Sequence, residues 1–207
     1  MPGDGLTLRP TNLPMPEADH GKKTDMTPER YCALGPDQTH DRAYYSLDMV
    51  WETEPHHVEP VIKSMCAPDA LIAVITPIDH QDSAIGAQKL KRLEGATDDL
   101  LARFTVMTST REEFIANTQE QRAALKQTEI SSQQVTITPD GHAQLQFDWL
   151  FEAHSGEQSV GSHGKCLSIP GPDGRFIECW NCLVDIDFDT LSQIRAHWHR
   201  LATDDKS

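Results

Sequence analysis

Gln144-Leu145-Gln146-Phe147-Asp148-Trp149-Leu150-Phe151-Glu152 decides the fold. Leu145, Phe147, Trp149 and Phe151 alternate with Gln144, Gln146, Asp148 and Glu152, the two-residue period of a strand with one buried face. The turn Pro139-Asp140-Gly141 separates this strand from the apolar stretch 135–137, which makes a hairpin. Downstream, residues 161–169 and 175–186 flank Pro170-Gly171-Pro172-Asp173-Gly174 and read as a second hairpin. Centred on that turn, Cys166 is expected opposite Cys179 and His163 opposite Cys182. Asp185, Asp187 and Asp189 then crowd charge around Ile186 and Phe188, where the sheet is expected to end, and 190–202 closes the chain as a helix.

Towards the N-terminus the period changes. Tyr44, Leu47, Trp51, Val58, Val61, Ile62 and Met65 recur near 3.6-residue spacing across 37–65, with a break expected near Glu54-Pro55. Ala67-Pro68-Asp69-Ala70 reads as a turn, and Leu71-Ile72-Ala73-Val74-Ile75-Thr76 as a short buried strand. Residues 81–126 read as helical, through Ile85, Leu90, Leu93, Leu100, Leu101, Phe104 and Met107, with an interruption at Gly95. Ser109-Thr110-Arg111-Glu112-Glu113-Phe114 opens the later helix, with Ser109 or Thr110 as its cap. Residues 1–38, punctuated by proline and glycine, read as a flexible or wrapping arm. Helices first and an antiparallel meander afterwards make 39–203 a single α+β domain with a strongly curved sheet.

The 207 residues are enough for one core, and 18 Lys and Arg against 32 Asp and Glu give a net charge of −14. So acidic a surface repels phosphate backbones and anionic lipid, which argues against nucleic-acid and membrane partners. No apolar run approaches the roughly 20 residues of a membrane span, and the first residues lack the apolar core of a signal peptide. Five scattered cysteines, an odd number, fit reduced thiols and a cytoplasmic setting.

Four local matches resemble the nuclear-transport-factor-2-like (NTF2-like) superfamily, in its SnoaL-like branch of polyketide cyclases and dehydratases. Trp51 precedes Met65-Cys66-Ala67-Pro68-Asp69-Ala70-Leu71-Ile72, similar to that branch's helix, "YAPDA" turn and first strand. Ser109 to Phe114 resembles its "G-R-E-E-F" helix start, and Gln146-Phe147-Asp148-Trp149 with His154-Ser155-Gly156 resembles its long strand. Asp173-Gly174-Arg175-Phe176-Ile177-Glu178-Cys179-Trp180-Asn181 resembles its last strand, with Asn181 where cyclases carry Asp. The resemblance implies a cone-shaped antiparallel sheet whose open side is covered by the N-terminal helices around a hydrophobic pocket. Relative to that pattern, residues at about 79–108 form a helical insertion. The activities implied are dehydration, isomerisation, cyclisation, epoxide opening or carbon–carbon lysis, all by acid/base proton transfer without a cofactor.

The candidate site residues follow from position. Tyr44, Asp48 and Trp51 share a helix face, and a Tyr–Asp pair there can polarise a hydroxyl leaving group. Glu52 and Glu54 stand where dehydratase-like and dehalogenase-like relatives place an acid, with His56 and His57 beside them, although the histidine those relatives carry before the next long strand is missing from Lys126-Gln127-Thr128-Glu129. His80 follows the first strand, with Asp79 or Asp82 able to orient it, and Trp149 and Trp180 read as aromatic walls of the pocket. Cys179-x-x-Cys182 and His163-x-x-Cys166 imitate redox and zinc spacings, but residues three apart on a strand point to opposite faces, so no metal site is expected.

The reading is therefore a cofactor-independent lyase or isomerase acting on an aromatic or polycyclic small molecule. Tyr45, Asp48, Glu54 and His80 are the catalytic candidates, and Tyr44, Trp51, Trp149, Trp180 and Asn181 the substrate-binding ones. A homodimer or higher homo-oligomer is the expected assembly. The alternative is a non-catalytic module of the same fold that binds a small molecule or dimerises.

Overall fold

The computed structural model describes residues 26–77, 90–92 and 103–204. Most of the expected arm, His80 and the greater part of the expected insertion fall outside these residues. A short helix α1 (Pro28–Cys32), capped by the Thr27 hydroxyl, leads into α2 (Thr39–Trp51). The proline break comes at a 3-10 turn, Pro55–His57, and α3 (Val58–Met65) follows. The chain continues through β1 (Cys66–Pro77), β2 (Leu90–Arg92), β3 (Phe104–Ser109) and α4 (Arg111–Ala124). It ends with β4 (Leu125–Ile137), β5 (Ala143–Ala153), β6 (Gln158–Pro170), β7 (Phe176–Cys182) and α5 (Phe188–Asp204). A capping box between Thr110 and Glu113 starts α4. Among the described residues no helix is long and apolar enough to cross a membrane.

The sheet runs β2-β3-β1-β7-β6-β5-β4. Its β1–β7 pair is parallel and every other neighbour antiparallel, so the sheet is mixed where an all-antiparallel one was expected. Residues 90–92 and 104–109, expected as helix, are strands. The three-residue spacing of Phe104 and Met107 imitated a helix, but Phe104-Thr105-Val106-Met107-Thr108 is rich in β-favouring side chains and pairs with β1 along 72–77. Ala67-Pro68-Asp69-Ala70, expected as a turn, lies inside β1 at a register shift that leaves Pro68 and Asp69 exposed. Proline is tolerated there because an interrupted ladder needs no N–H from it. A further shift between Ile169 and Pro170 sets Cys166 opposite Asn181, Ser168 opposite Cys179 and Lys165 opposite Cys182, displaced from the pairing expected.

Both faces of the sheet are covered. On one, Tyr31, Ala43, Val50, Val61, Ile62, Ile72, Ile115 and Cys179 join α1–α4 to the strands, and Ile130, Leu145, Phe147, Trp149 and Cys166 extend the same side. On the other, α5 lays Leu191, Ile194 and Trp198 over Ala73, Ile75, Phe104, Val106, Leu167 and Trp180. Trp180 is completely buried beneath α5, so it cannot form a wall with Trp149, which faces the opposite way.

Arg42, 2% exposed, fixes the helical layer. Its guanidinium donates to the Leu34 carbonyl at 2.7 Å and the Ser64 carbonyl at 2.8 Å, beyond the end of α1 and at the end of α3. The Tyr31 hydroxyl donates to the Arg42 carbonyl at 2.9 Å, so residues 26–36 form a strap over α2 and α3. Glu178 fixes α5: its carboxylate accepts from Arg195 Nε at 2.6 Å and Nη2 at 2.9 Å, from Trp180 Nε1 at 2.8 Å, and lies 3.1 Å from His199 Nε2. Burial alone would raise the Glu178 pKa, but the hydrogen bonds from Arg195, Trp180 and His199 bring it down to about 2.

The bend of the long hairpin rests on two glycines. A Cβ on Gly161 would sit 1.9 Å from Trp149 Cζ2, and one on Gly164 would sit 2.8 Å from the Phe147 ring. Between them the β5–β6 register shifts, and His163 takes φ 60. Bulges of this kind bend and twist a strand.

Two measurements check this account. Gly161→Ala is expected to cost about 2 kcal/mol or more in urea unfolding, and combining it with Trp149→Leu to recover part of that loss. Glu178→Gln is expected to cost about 2 kcal/mol at pH 7, allowing for solvent screening. Because the folded pKa is depressed, the wild-type advantage is complete above about pH 5 and disappears as pH falls from 4.5 towards 2.

Candidate functional site

The carboxyl-terminal half of α2 lies against β4 and β5. Leu47 and Trp51 pack on Ile130, Phe147, Trp149 and Phe151, and the Trp51 and Phe151 ring centroids are 5.3 Å apart. The most buried stripe of α2 is a different one, Arg42, Ala43, Ser46, Met49 and Val50, which faces α1 and α3. Hydropathy conceals that stripe because Arg42 and Ser46 belong to it. Tyr44, Asp48 and Trp51 lie together on the flank beyond it, as their spacing requires.

Three side chains hold α2 in place. Glu52 Oε1 accepts from the Ile130 amide at 2.8 Å, and the Ser132 hydroxyl donates to the Tyr44 carbonyl at 2.7 Å, tying α2 to β4. Arg122, in the last turn of α4, donates to the Val50 carbonyl at 3.1 Å and also to the Thr53 carbonyl, meeting acceptors that the end of the helix leaves open. Arg122 and Glu52 thus position Trp51 and Asp48. Nothing in the sequence marked Arg122, which reads as a surface charge; the capping box that starts its helix was the signal for where α4 lies, not for where its last turn points.

Asp48 is half-buried, with Oδ1 wholly enclosed. Burial, then Tyr45, then the Asp48 carboxylate push the Tyr44 phenol above its ordinary pKa, so it remains a protonated donor near neutrality. Tyr44 stacks on His40 at 6.2 Å and meets Tyr45 edge-on at 4.9 Å, while Tyr45 itself turns to the α1–α3 side.

The remaining candidates are dispersed. Glu54 is exposed beyond the end of α2 and does not turn inward. The His56 and His57 rings are tilted against each other with centroids 3.9 Å apart, and His57 Nε2 lies 3.7 Å from Glu29. Asn181 is half-buried, its amide donating to the Ala73 carbonyl at 3.3 Å. Cys179 and Cys182 fall on opposite faces, His163 is exposed on its bulge, and among the described residues no three His, Cys, Asp or Glu side chains converge as metal ligands.

Helices α1–α3 leading into β1, then α4 and the β4–β7 meander, with α1–α4 on one face of the sheet, follow the element order implied by the four sequence matches, apart from the parallel β1–β7 pair and the strands β2 and β3. The arrangement resembles the NTF2-like fold. Among solved structures, this chain is similar to an NTF2-like protein of unknown function from Exiguobacterium sp. 255-15, at 11% identity and TM-score 0.47, covering 72% of this chain and 100% of that one. It is similar also to RV0760c of Mycobacterium tuberculosis, solved with estradiol-17beta-hemisuccinate, at 12% identity and TM-score 0.46, covering 75% and 97%. A third is IdmH of Streptomyces antibioticus, a proposed polyketide cyclase, at 16% identity and TM-score 0.44, covering 78% and 99%. No protein-family model and no curated protein sequence matches the chain.

Replacing Arg122 with Met, which keeps length but removes the donors, is expected to cost about 1–2 kcal/mol in urea unfolding and to shift tryptophan emission to the red as Trp51 loosens. Arg122→Lys, with one ammonium for two carbonyls, is expected to recover only part of both.

Proposed function

We propose that the face between α2 and β4–β6 binds a hydrophobic, aromatic small molecule and moves a proton on it, as a lyase or isomerase that needs no cofactor. The observation that carries this reading is the half-buried Asp48, its Oδ1 enclosed, on the same helix flank as Tyr44 and as Trp51, which packs on Phe151 and Trp149. A carboxylate placed beside a bound ligand can serve as a general acid or base. The neutral Tyr44 phenol is suited to donate to a substrate carbonyl or hydroxyl oxygen while Asp48 takes or returns the proton. The aromatic rings would hold a flat ligand and exclude water. Glu52 has no part in the chemistry, since its carboxylate is committed to the Ile130 amide.

A second reading, ligand binding without turnover, draws on Asn181. It stands in place of an acid, and its amide is directed to the Ala73 carbonyl rather than to a ligand.

Hydroxylated and carbonyl-bearing aromatic compounds, screened by quenching of tryptophan fluorescence and then followed by NMR for turnover, separate the two. Asp48→Asn is expected to lower turnover at least a hundredfold while leaving binding within about threefold, and Trp51→Ala to weaken binding tenfold or more. Full turnover in Asp48→Asn would remove Asp48 from the chemistry, and binding with no conversion of any ligand would favour the second reading.

A further inference from the structure

Cys66, the first residue of β1, and Cys179, in β7, are 113 positions apart in sequence, yet their Sγ atoms are 3.9 Å apart. Both are buried, at 0% and 4% exposure. Ser168, on the neighbouring strand β6, has its hydroxyl 3.9 Å from Cys179 Sγ and 3.3 Å from Cys166 Sγ. Two thiols, Cys166 and Cys179, therefore flank one hydroxyl, and Cys66 joins the group by touching Cys179 sulfur to sulfur. A disulfide requires sulfurs at about 2.05 Å, so closing the bond needs about 2 Å of sulfur travel. The β1–β7 ladder is interrupted between Cys66 and Leu71, which leaves the Cys66 end of the strand less constrained than its middle.

We propose that Cys66 and Cys179 form a redox-modification site that closes to an intrachain disulfide by exchange with a low-molecular-weight disulfide. The Cys66 thiolate attacks one sulfur of the small disulfide, forming a mixed disulfide and expelling one small thiolate. Cys179, as its thiolate, attacks Cys66 Sγ, forming the protein S–S bond and expelling the second. The protein thiols give up two electrons, the small disulfide accepts them, and the two protons given up by the cysteines end on the released thiols. The new bond ties the first residue of β1 to its parallel neighbour β7.

Access to the pair is governed by the strap. Tyr31 is completely buried in the cluster that contains both cysteines, close enough for Cys66 and Cys179 to influence its phenol. Further along the strap, Pro36 lies against the β6–β7 turn, since a Cβ on Gly174 would come within 2.4 Å of Pro36 Cα. With the strap seated, the hydrogen bond to Cys66 and burial hold the Cys179 thiol well above its ordinary pKa, which keeps it unreactive. Exchange therefore follows opening of residues 26–36.

The test exposes the full chain to oxidised glutathione, in native buffer and in urea below the unfolding transition. Free-thiol titration and mass mapping of non-reduced peptides read the result. Apart from any glutathione adduct on the exposed Cys32, two of the five thiols of the native chain are expected to disappear, with one crosslinked peptide pair carrying Cys66 and Cys179, and reductant restores them. Tyr31→Ala is expected to speed closure at least tenfold; if that variant does not fold, wild type in sub-transition urea supplies the same acceleration. Cys179→Ser is expected to halt at a glutathione adduct on Cys66, and Cys166→Ser to leave the crosslink intact. A bond through Cys166 instead, scattered adducts without a crosslink, or five thiols persisting until global unfolding would overturn the proposal.

Discussion

The crossing of aromatic rings over glycine backbone on β5 and β6 is the constraint on which the rest of the molecule depends. Trp149 and Phe147 lie where side chains on Gly161 and Gly164 would otherwise stand, so the rings pack directly on the neighbouring strand. Between those glycines His163 adopts a left-handed backbone conformation, a costly state for a residue with a Cβ. It is held there by Asp148, whose carboxylate accepts its amide at 2.9 Å, and by Lys165, which donates to its carbonyl at 3.2 Å. This turns the aromatic side chains into a continuous surface, and α2 settles on it through Leu47 and Trp51.

Burial of charge is handled differently on the two sides of the sheet. Under α5, Glu178 is enclosed with an arginine, a histidine and an indole N–H, a saturated set that offsets its desolvation. Among the helices, Arg42 is enclosed with backbone carbonyls, and the ends of α1 and α3 supply the negative potential that a carboxylate would otherwise provide. Arg122 repeats the device at the end of α2. Three helix ends are thus closed by arginine side chains rather than by glycine caps.

The sequence showed the parts of this architecture governed by local period. The alternation through Leu145, Phe147 and Trp149, the proline break after Trp51 and the Thr110 cap all depend on neighbours along the chain, and the structure keeps them. What it concealed depends on partners far away. The parallel pairing of β1 with β7 leaves no trace in either strand's composition, and Phe104 and Met107 fit two periods at once until β1 chooses between them. Within the candidate site, Tyr44, Asp48 and Trp51 could be grouped because helical geometry alone sets their common flank. Trp180 was misread because a buried tryptophan looks the same whichever face of a sheet it takes, and here α5 covers it.

The central pairing also bears on how the chain reaches its native state. Ala73 and Asn181, hydrogen-bonded across the parallel pair, are separated by 108 positions. A ribosome therefore releases the middle of β1 long before its partner exists, and hairpins such as β4–β5 can assemble while β1 still has one unsatisfied edge. Contacts this distant in sequence close late and slow folding. Until β7 arrives, the apolar run through Ile72 and Ile75 stands as an open strand, the segment on which a nascent-chain chaperone would act to prevent misassociation.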